Sequence, residues 1–442
     1  MRPLNLSVLL IVILSTHGLF AQNPIKKDFG MADPHCYIFN NKAYLFTTRD
    51  ASNTSNKFNM PDWQIWSSDD LTDWKLERYI YPKETYMGES DRCWATETAS
   101  MNGKYYFYFS NGNTNTGVMV ADKPEGPYKD ALGKPLLDVE LTSTQEYDPT
   151  VLVDEDNKAY IVFGHYRKDT QALAWYIARL NEDMISLAEQ PKEIVVENAF
   201  DIMTANDKPN LHKRNGIYYL SAGSHYATSK NVYGPYKVIG NSGNGKYGLH
   251  SRAHGNYFTW NNQWFHTWCH FHLGKDIARY RESYMTYLHY TDDGRMVSDV
   301  AYLDAHFETG VGQYDASWDC IQAEWYMKAN GAAKRECLTG GFELQNIQHG
   351  ATLIYPNMAN IQSQKSVKFH LASSVGGVIE VRSGHANGKL LGKAIVKPTG
   401  GNDKYTYVSC NLVDAKEVED ICFHFVGKGD DLMRLDYFVF EK

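Results

Sequence analysis

Asp201-Ile202-Met203-Thr204-Ala205-Asn206-Asp207-Lys208-Pro209-Asn210-Leu211-His212-Lys213-Arg214-Asn215-Gly216-Ile217-Tyr218-Tyr219-Leu220-Ser221 is the stretch on which the fold turns. Its second half, Asn215 to Leu220, reads as a turn followed by an aromatic strand. The pattern recurs. Asn41-Lys42-Ala43-Tyr44, Asn102-Gly103-Lys104-Tyr105, Asn157-Lys158-Ala159-Tyr160, Asn215-Gly216-Ile217-Tyr218 and Asn261-Asn262-Gln263-Trp264 each place an aromatic three residues after an asparagine. Successive aromatics lie 61, 55, 58 and 46 residues apart, a period that holds several short strands and marks propeller blades. Five copies predict five blades.

Asp33 and Trp94 lie eight residues before their asparagines, Asp148 nine, Asp207 eight and His254 seven. The innermost strand of each propeller blade starts beside the central channel, so these five residues are expected to line one pocket. An Asp near a Pro commonly just starts a turn, but three in register point to a site. Three carboxylates, an aromatic and a histidine make a sugar-cleaving constellation.

The 442 residues suffice for two or three domains, and aromatics reach 14%, with 31 Tyr and 10 Trp, which suits strands and sugar-stacking surfaces. A formal charge of -8 and a pI near 6.1 argue against a nucleic-acid partner. Residues 1–21 read as a secretory signal, with Arg2, the apolar run Val8–Leu14 and Leu19-Phe20-Ala21 before Gln22. No later run is long enough to span a bilayer. An exported, periplasmic or extracellular protein without membrane insertion is expected, with a monomer as the simplest assembly. Seven scattered cysteines include no Cys-x-x-Cys pair, and an odd count leaves at least one unpaired. Buried free thiols are expected, with room for one bridge such as Cys410–Cys422.

Helical periodicity is nearly absent over residues 28–312, the predicted propeller. Gly126-Pro127-Tyr128 and Gly234-Pro235-Tyr236 repeat one turn in blades two and four. From about 321 to 442 the pattern changes to alternating strands such as Ser366–Ala372 and Val378–Arg382 between Gly-rich turns, which reads as a β-sandwich. The predicted fold is therefore all-β: a five-bladed propeller followed by a jelly-roll sandwich.

Ala32-Asp33-Pro34-His35 with Tyr44–Thr48, Trp94-Ala95-Thr96, Tyr147-Asp148-Pro149-Thr150 with Lys158-Ala159-Tyr160, and Arg252-Ala253-His254-Gly255 together resemble glycoside hydrolase family 43. The resemblance spans about residues 28–310. Sialidase and invertase signatures fit less well: Ser68–Trp74 lacks the Gly of an Asp-box, and no Trp-x-Asn-Asp-Pro-Asn start is present. The resemblance implies hydrolysis with inversion, one carboxylate activating water and another protonating the leaving oxygen. It makes Asp33 the general base, and Asp148 the carboxylate that raises the acid's pKa. The acid is where the chain departs. Relatives carry Glu-Gly-Pro or Glu-Ala-Pro where this chain has Asp207-Lys208-Pro209. Asp207 is one methylene shorter, so three readings stay open: Asp207 is the acid, Glu197 or Asp201 substitutes, or the acid is lost.

The resemblance further implies that Trp94 stacks on sugar, that Glu97 and Arg281 reach substrate, and that His254 contacts substrate or, through water, a calcium ion on the axis. Arg281 is equally readable as a salt bridge that closes the propeller. Each of His35, His165, His212 and His225 reads as structural on its own. Residues 321–442 look like a family 6 carbohydrate-binding module on Ala323-Glu324-Trp325, Gly376–Arg382, Gly388–Gly392, Thr399-Gly400-Gly401 and Leu435–Phe440. Two of its usual ligand contacts are replaced here, by Asn402-Asp403-Lys404 and by Arg434, and Glu324 and Asp436 fall where such modules hold structural calcium. The expected activity is release of terminal arabinofuranosyl, xylosyl or galactosyl residues from plant-type polysaccharide side chains. The alternative is a glycan-binding propeller that keeps the pocket with catalysis impaired.

Overall fold

The computed structural model describes residues 23–170, 173–197, 207–250, 252–271 and 279–442. The segment read as a signal and Asp201 lie outside the described residues. Five antiparallel sheets follow one another along the chain. Blade one comprises Met31–Phe39, Lys42–Arg49, Trp63–Ser68 and Lys75–Ile80, and blade two Cys93–Met101, Lys104–Asn111, Asn115–Ala121 and Lys129–Asp130. Blade three holds Thr150–Val153, Ala159–Phe163, Tyr176–Arg179 and Lys192–Glu193. Blade four holds Pro209–Arg214, Ile217–Ala222, His225–Ser229 and Tyr236–Asn241, with Val196–Glu197 added in parallel at its outer edge. Blade five holds Gly255–Trp260, Gln263–Phe271, Arg281–Tyr290 and Met296–Ser298.

The recurring asparagines have a backbone cause. Asn41, Asn102, Asn157, Asn215 and Asn261 all have φ between 50 and 59°, in the left-handed region that Asn tolerates better than most residues. Each turns the innermost strand of its blade into the second. The apolar core lies between successive blades. Phe46 and Trp63 of blade one pack on Phe107 and Phe109 of blade two, and Val162 and Ile177 of blade three pack with Leu211 and Leu220 of blade four. The segment leading into blade one joins blade five: Asn23 exchanges hydrogen bonds of 3.0 and 2.9 Å with the backbone of Met285.

Behind the propeller two antiparallel sheets face each other. One runs Ala333–Glu336, Phe342–Gln345, Arg434–Glu441, Ser366–Ser373, Gly401–Asn411 in spatial order, and the other Lys328–Asn330, Thr352–Tyr355, Ile421–Val426, Gly377–Ser383, Leu390–Val396. Phe369, Phe423 and Phe438 fill the space between them, Phe423 and Phe438 edge to face at 4.7 Å. This core is continuous with the propeller's through Tyr287, Tyr302, Tyr314 and Trp325. The junction is also hydrogen-bonded, with Gln263 Nε2 donating to the carbonyls of Glu324 and Tyr326 at 2.8 Å each. All seven cysteines are free, Cys410 and Cys422 among them.

Candidate active site

Asp33, Trp94, Asp148, Asp207, His254 and Arg281 line one pocket at the propeller axis, together with Phe58, Met60, Ala95 and Tyr147. Each of the five register-matched positions arrives on or just before the innermost strand of a different blade. The backbone is not relaxed there. Asp33 and Asp148 have φ of 50° and 57°, unusual values for a non-glycine residue and of the kind that clusters at functional sites. The inner strands of blades one and two also shift register between Ala32 and His35 and between Trp94 and Thr96, irregularities that re-aim side chains.

Asp33 is buried beneath two cations. Arg281 NH1 donates to Asp33 Oδ1 at 3.0 Å and His254 Nδ1 approaches the same oxygen at 2.5 Å. Burial alone would raise its pKa, but Arg281 and then His254 outweigh it and bring the carboxyl down to about 2. Arg281 also clasps Asp50 through Nε and NH2, at 3.0 Å each. It therefore closes blade five onto blade one and lines the pocket as well.

His254 stands between two carboxylates. Beyond its contact with Asp33, its Nε2 lies 3.2 Å from Asp207 Oδ2, at an angle too bent for a hydrogen bond. Burial works against the imidazolium, yet the Asp207 and Asp33 charges overcome it and raise the ring to about 10. The other oxygen of Asp207 lies 3.1 Å from His165 Nε2. Asp148 is buried with its N–H donated to Ser110 Oγ at 3.0 Å. Burial, then the charge of Asp207, push its carboxyl up to about 7, whereas Asp207 is held well below the usual carboxylate range against burial, by His254 first and then His165. This inverts the expected order: of the pair, Asp148 keeps its proton to the higher pH and Asp207 loses it at the lower.

Glu97 departs from expectation. It does not line the pocket but lies beneath it, fully buried, accepting from Tyr37 OH and from the Thr98 N–H at 2.8 Å, and from Thr150 Oγ1 at 2.9 Å. Trp94 borders the pocket with edge contacts to Phe58 and Tyr147, and its buried indole N–H has no acceptor. Glu197 is exposed on the outer strand of blade four, far from the axis in the blade's strand order.

Two histidines read as structural belong to the site. His165 touches Asp207, and His35 donates from Nδ1 to the carbonyl of Asp33 at 3.0 Å. Its other nitrogen accepts from the buried ammonium of Lys208 at 2.9 Å. His35 follows Asp33 by two positions across a register shift, and its closeness to Asp33 in sequence was the available signal. His212 stacks on Tyr219 and pairs with Tyr290 OH, away from the pocket.

The larger cavity, about 960 Å³, lies at the junction of propeller and sandwich rather than on the axis. Glu324 and Asp436 both border it. Calcium takes six to eight oxygen ligands, and no group of three or more acidic, His or Cys side chains gathers as a metal site among the described residues. Asp436 pairs instead with His370 Nδ1 at 2.8 Å, and the Glu324 carboxyl, its Oε2 buried without a partner, is pushed well up by burial. Near the axis, the buried Lys208 ammonium lies 2.9 Å from His35 Nε2 and 2.9 Å from the Pro149 carbonyl. On the sandwich, Arg434 sits 3.7 Å from Glu343, and Asn402 binds Asp431. Tyr405, Tyr407 and Tyr437 surround His370 at 4.8 to 5.2 Å, an aromatic face that the sequence reading missed.

Glycosyl hydrolases family 43 matches residues 21–296, and the family 6 carbohydrate binding module matches residues 322–442. An arabinoxylan arabinofuranohydrolase of Paenibacillus polymyxa is 27% identical over 95% of this chain and 74% of its own length. A xylosidase/arabinosidase of Bacteroides ovatus is 28% identical over 48% of this chain and 77% of its own. The crystal structure of a family 43 arabinoxylan arabinofuranohydrolase from Bacillus subtilis superposes with a TM-score of 0.57 at 24% identity, covering 96% of this chain and 98% of that one. A β-xylosidase/α-arabinofuranosidase from a compost metagenome, solved in a calcium-free form, gives 0.53 at 25% identity over 62% and 95%. The chain belongs to family 43 of the glycosyl hydrolases, glycosidases that hydrolyse O-glycosyl bonds, and carries a family 6 carbohydrate-binding module behind its propeller.

Proposed function

We propose that the protein is an exported, inverting hydrolase that removes terminal sugars from polysaccharide side chains, arabinofuranosyl first among them, then xylosyl and galactosyl. The supporting observation is that three carboxyls meet in one pocket with different protonation. The pKa values of Asp33 and of Asp207 are held low, whereas that of Asp148 is raised to about 7. The names of the relatives, arabinofuranohydrolase and xylosidase/arabinosidase, set the order of sugars.

In this reading water attacks the anomeric carbon while Asp33 takes its proton. Arg281 and His254 hold Asp33 ionised and fixed. The bond to the leaving oxygen breaks as that oxygen takes a proton from the Asp148–Asp207 pair. The pair holds one proton, resting on Asp148 in the free enzyme, and titrates as a unit. A whole imidazole ring separates Asp33 from Asp207, which favours the spacing of about 6.5–9.5 Å of inverting enzymes over the roughly 5–5.5 Å of retaining ones. The unpaired indole N–H of Trp94 offers a donor to a sugar hydroxyl.

A second reading has its own support. Asp207 is clamped in its ionised form by two histidines and has no proton of its own to give, as in a glycan-binding protein with impaired catalysis.

Sugar release from arabinan, xylan and arabinogalactan separates the two. The hydrolase reading expects one monosaccharide, with the inverted anomer seen by NMR in fresh product, and loss of about a hundredfold or more in Asp33→Asn. Asp207→Asn should lose less on an aryl glycoside, whose leaving group needs no proton. Binding without release by wild type would leave the second reading. Export is checked by N-terminal sequencing of protein recovered outside the cytoplasm, where a start near Gln22 is expected.

A further inference from the structure

Lys208 stands where glycine or alanine was expected, directly after Asp207, and it is only 2% exposed. Its ammonium donates to the carbonyl of Pro149 at 2.9 Å and to His35 Nε2 at 2.9 Å. Pro149 adjoins Asp148 in blade three, and His35 holds the carbonyl of Asp33 in blade one. Burial lowers the pKa of the ammonium, and the charge of Glu97 of blade two opposes it most, followed by Asp148 and Asp33. One side chain from blade four therefore engages the innermost strands of the other three blades that carry carboxyls. An isolated ammonium inside a protein costs several kcal/mol, and it persists only where the surroundings compensate it. Here they do so with groups attached to each reacting carboxyl.

We propose that the Lys208 ammonium is the resident cation of the propeller axis, a positioning residue that ties the backbones of Asp33, Asp148 and Asp207 together and makes a metal ion at that place unnecessary. A divalent ion needs a shell of oxygens. At the place the ammonium occupies, the direct partners are one carbonyl and a histidine nitrogen already accepting from the lysine, and the nearby Asp33 and Asp207 are already paired with Arg281 and His254. The inference rests on the hydrolase reading for its kinetic consequence, but its metal-binding consequence stands apart from activity.

The test uses the full chain with Lys208→Met, which keeps most of the length of the side chain and removes the charge, beside Lys208→Ala. Wild type treated with EDTA should keep its rate and melting temperature, and calorimetric titration with calcium should show no binding at the axis that Lys208→Ala changes. Lys208→Met should fold, by circular dichroism, and lose about tenfold to a hundredfold in kcat with little change in KM, the loss expected of misplaced reacting groups. The alkaline limb of its pH–rate profile should move, which a merely structural defect would not do. Ethylammonium should restore part of the rate to Lys208→Ala.

Wild-type kcat and pH profile in Lys208→Met would overturn the proposal. So would wild-type protein that loses its rate to EDTA and regains it with calcium. If neither variant folds, the wild-type titration decides: calcium binding that shifts the wild-type melting temperature and is abolished by His254→Ala refutes a lysine-filled axis, and its absence upholds it. Failure of the hydrolase reading is distinguishable, since it appears as an inactive wild type, with the calcium titration still readable.

Discussion

The axis and the domain junction each bury a glutamate near a lysine, and they treat the pair differently. At the axis Glu97 fills its lone pairs with Tyr37, Thr98 and Thr150, and Lys208 binds groups on two other blades. At the junction Glu324 is 5% exposed with Oε2 unpaired, and Lys334 gives its protons to neutral acceptors, Gln263 Oε1 at 2.6 Å and the Leu288 carbonyl at 3.0 Å. Buried charge is tolerated where every member of a network is satisfied, and a half-satisfied group turns neutral instead. The same two residue types thus build an organised polar centre in one place and a packing seam in the other.

The sharpest way to break that contrast is the pH dependence of activity. Asp148 is raised to about 7 by burial and Asp207, and Lys334 is lowered to about 7 by burial, so both titrate in one window. If the axis does the chemistry, kcat/KM should hold from about pH 3, above the pKa of Asp33, to about pH 6.5. Beyond 7 it should fall tenfold per pH unit as the shared proton leaves, a hundredfold by about pH 9. Lys334→Met should keep that limb. A limb that disappears in Lys334→Met would move the decisive titration to the junction.

The stability signs sharpen it further. His254 is raised from 6.5 to about 10, so its contribution is complete below pH 6.5 and is lost as pH rises through 10. Asp33 is depressed to about 2, so its contribution is present above 3.8 and is lost as pH falls through 2.

How much of this was legible depends on what holds each residue. The blades were, because a left-handed turn at Asn41, Asn102, Asn157, Asn215 and Asn261 restricts the choice of residue locally. The pocket was legible too, since offsets of seven to nine residues from those turns return to one axis. Glu97 was misplaced because it came from the resemblance alone, and it is taken up by Tyr37, Thr98 and Thr150 in the protein interior. Lys208 was not legible at all. A lysine between Asp and Pro reads as a solvated charge until the ring closes four distant strands around it. The reversal between Asp148 and Asp207 has the same origin, in His165 and His254, which arrive from blade three and just ahead of blade five.

The next effect in size is a matched pair of substitutions. Glu97→Gln replaces one acceptor oxygen by an NH2 group that must face a donor, either Tyr37 OH and Thr98 N–H or Thr150 OH. It also strips Lys208 of its strongest counter-charge. A buried donor left without an acceptor costs about 1–3 kcal/mol, which should appear as a lower melting temperature together with a lower kcat. Glu324→Gln should cost less than about 1 kcal/mol. Its carboxyl is pushed well above the usual range by burial and its Oε2 has no hydrogen-bond partner, so the amide replaces a group of nearly the same shape that gives up no bond there. Thermal melts of the two variants at pH 7 measure the difference directly. Equal losses would mean that Glu324 is ionised and held by a partner, and the two buried glutamates would then be alike. A stable Glu324→Gln beside a weakened Glu97→Gln would place the working charge on the axis alone.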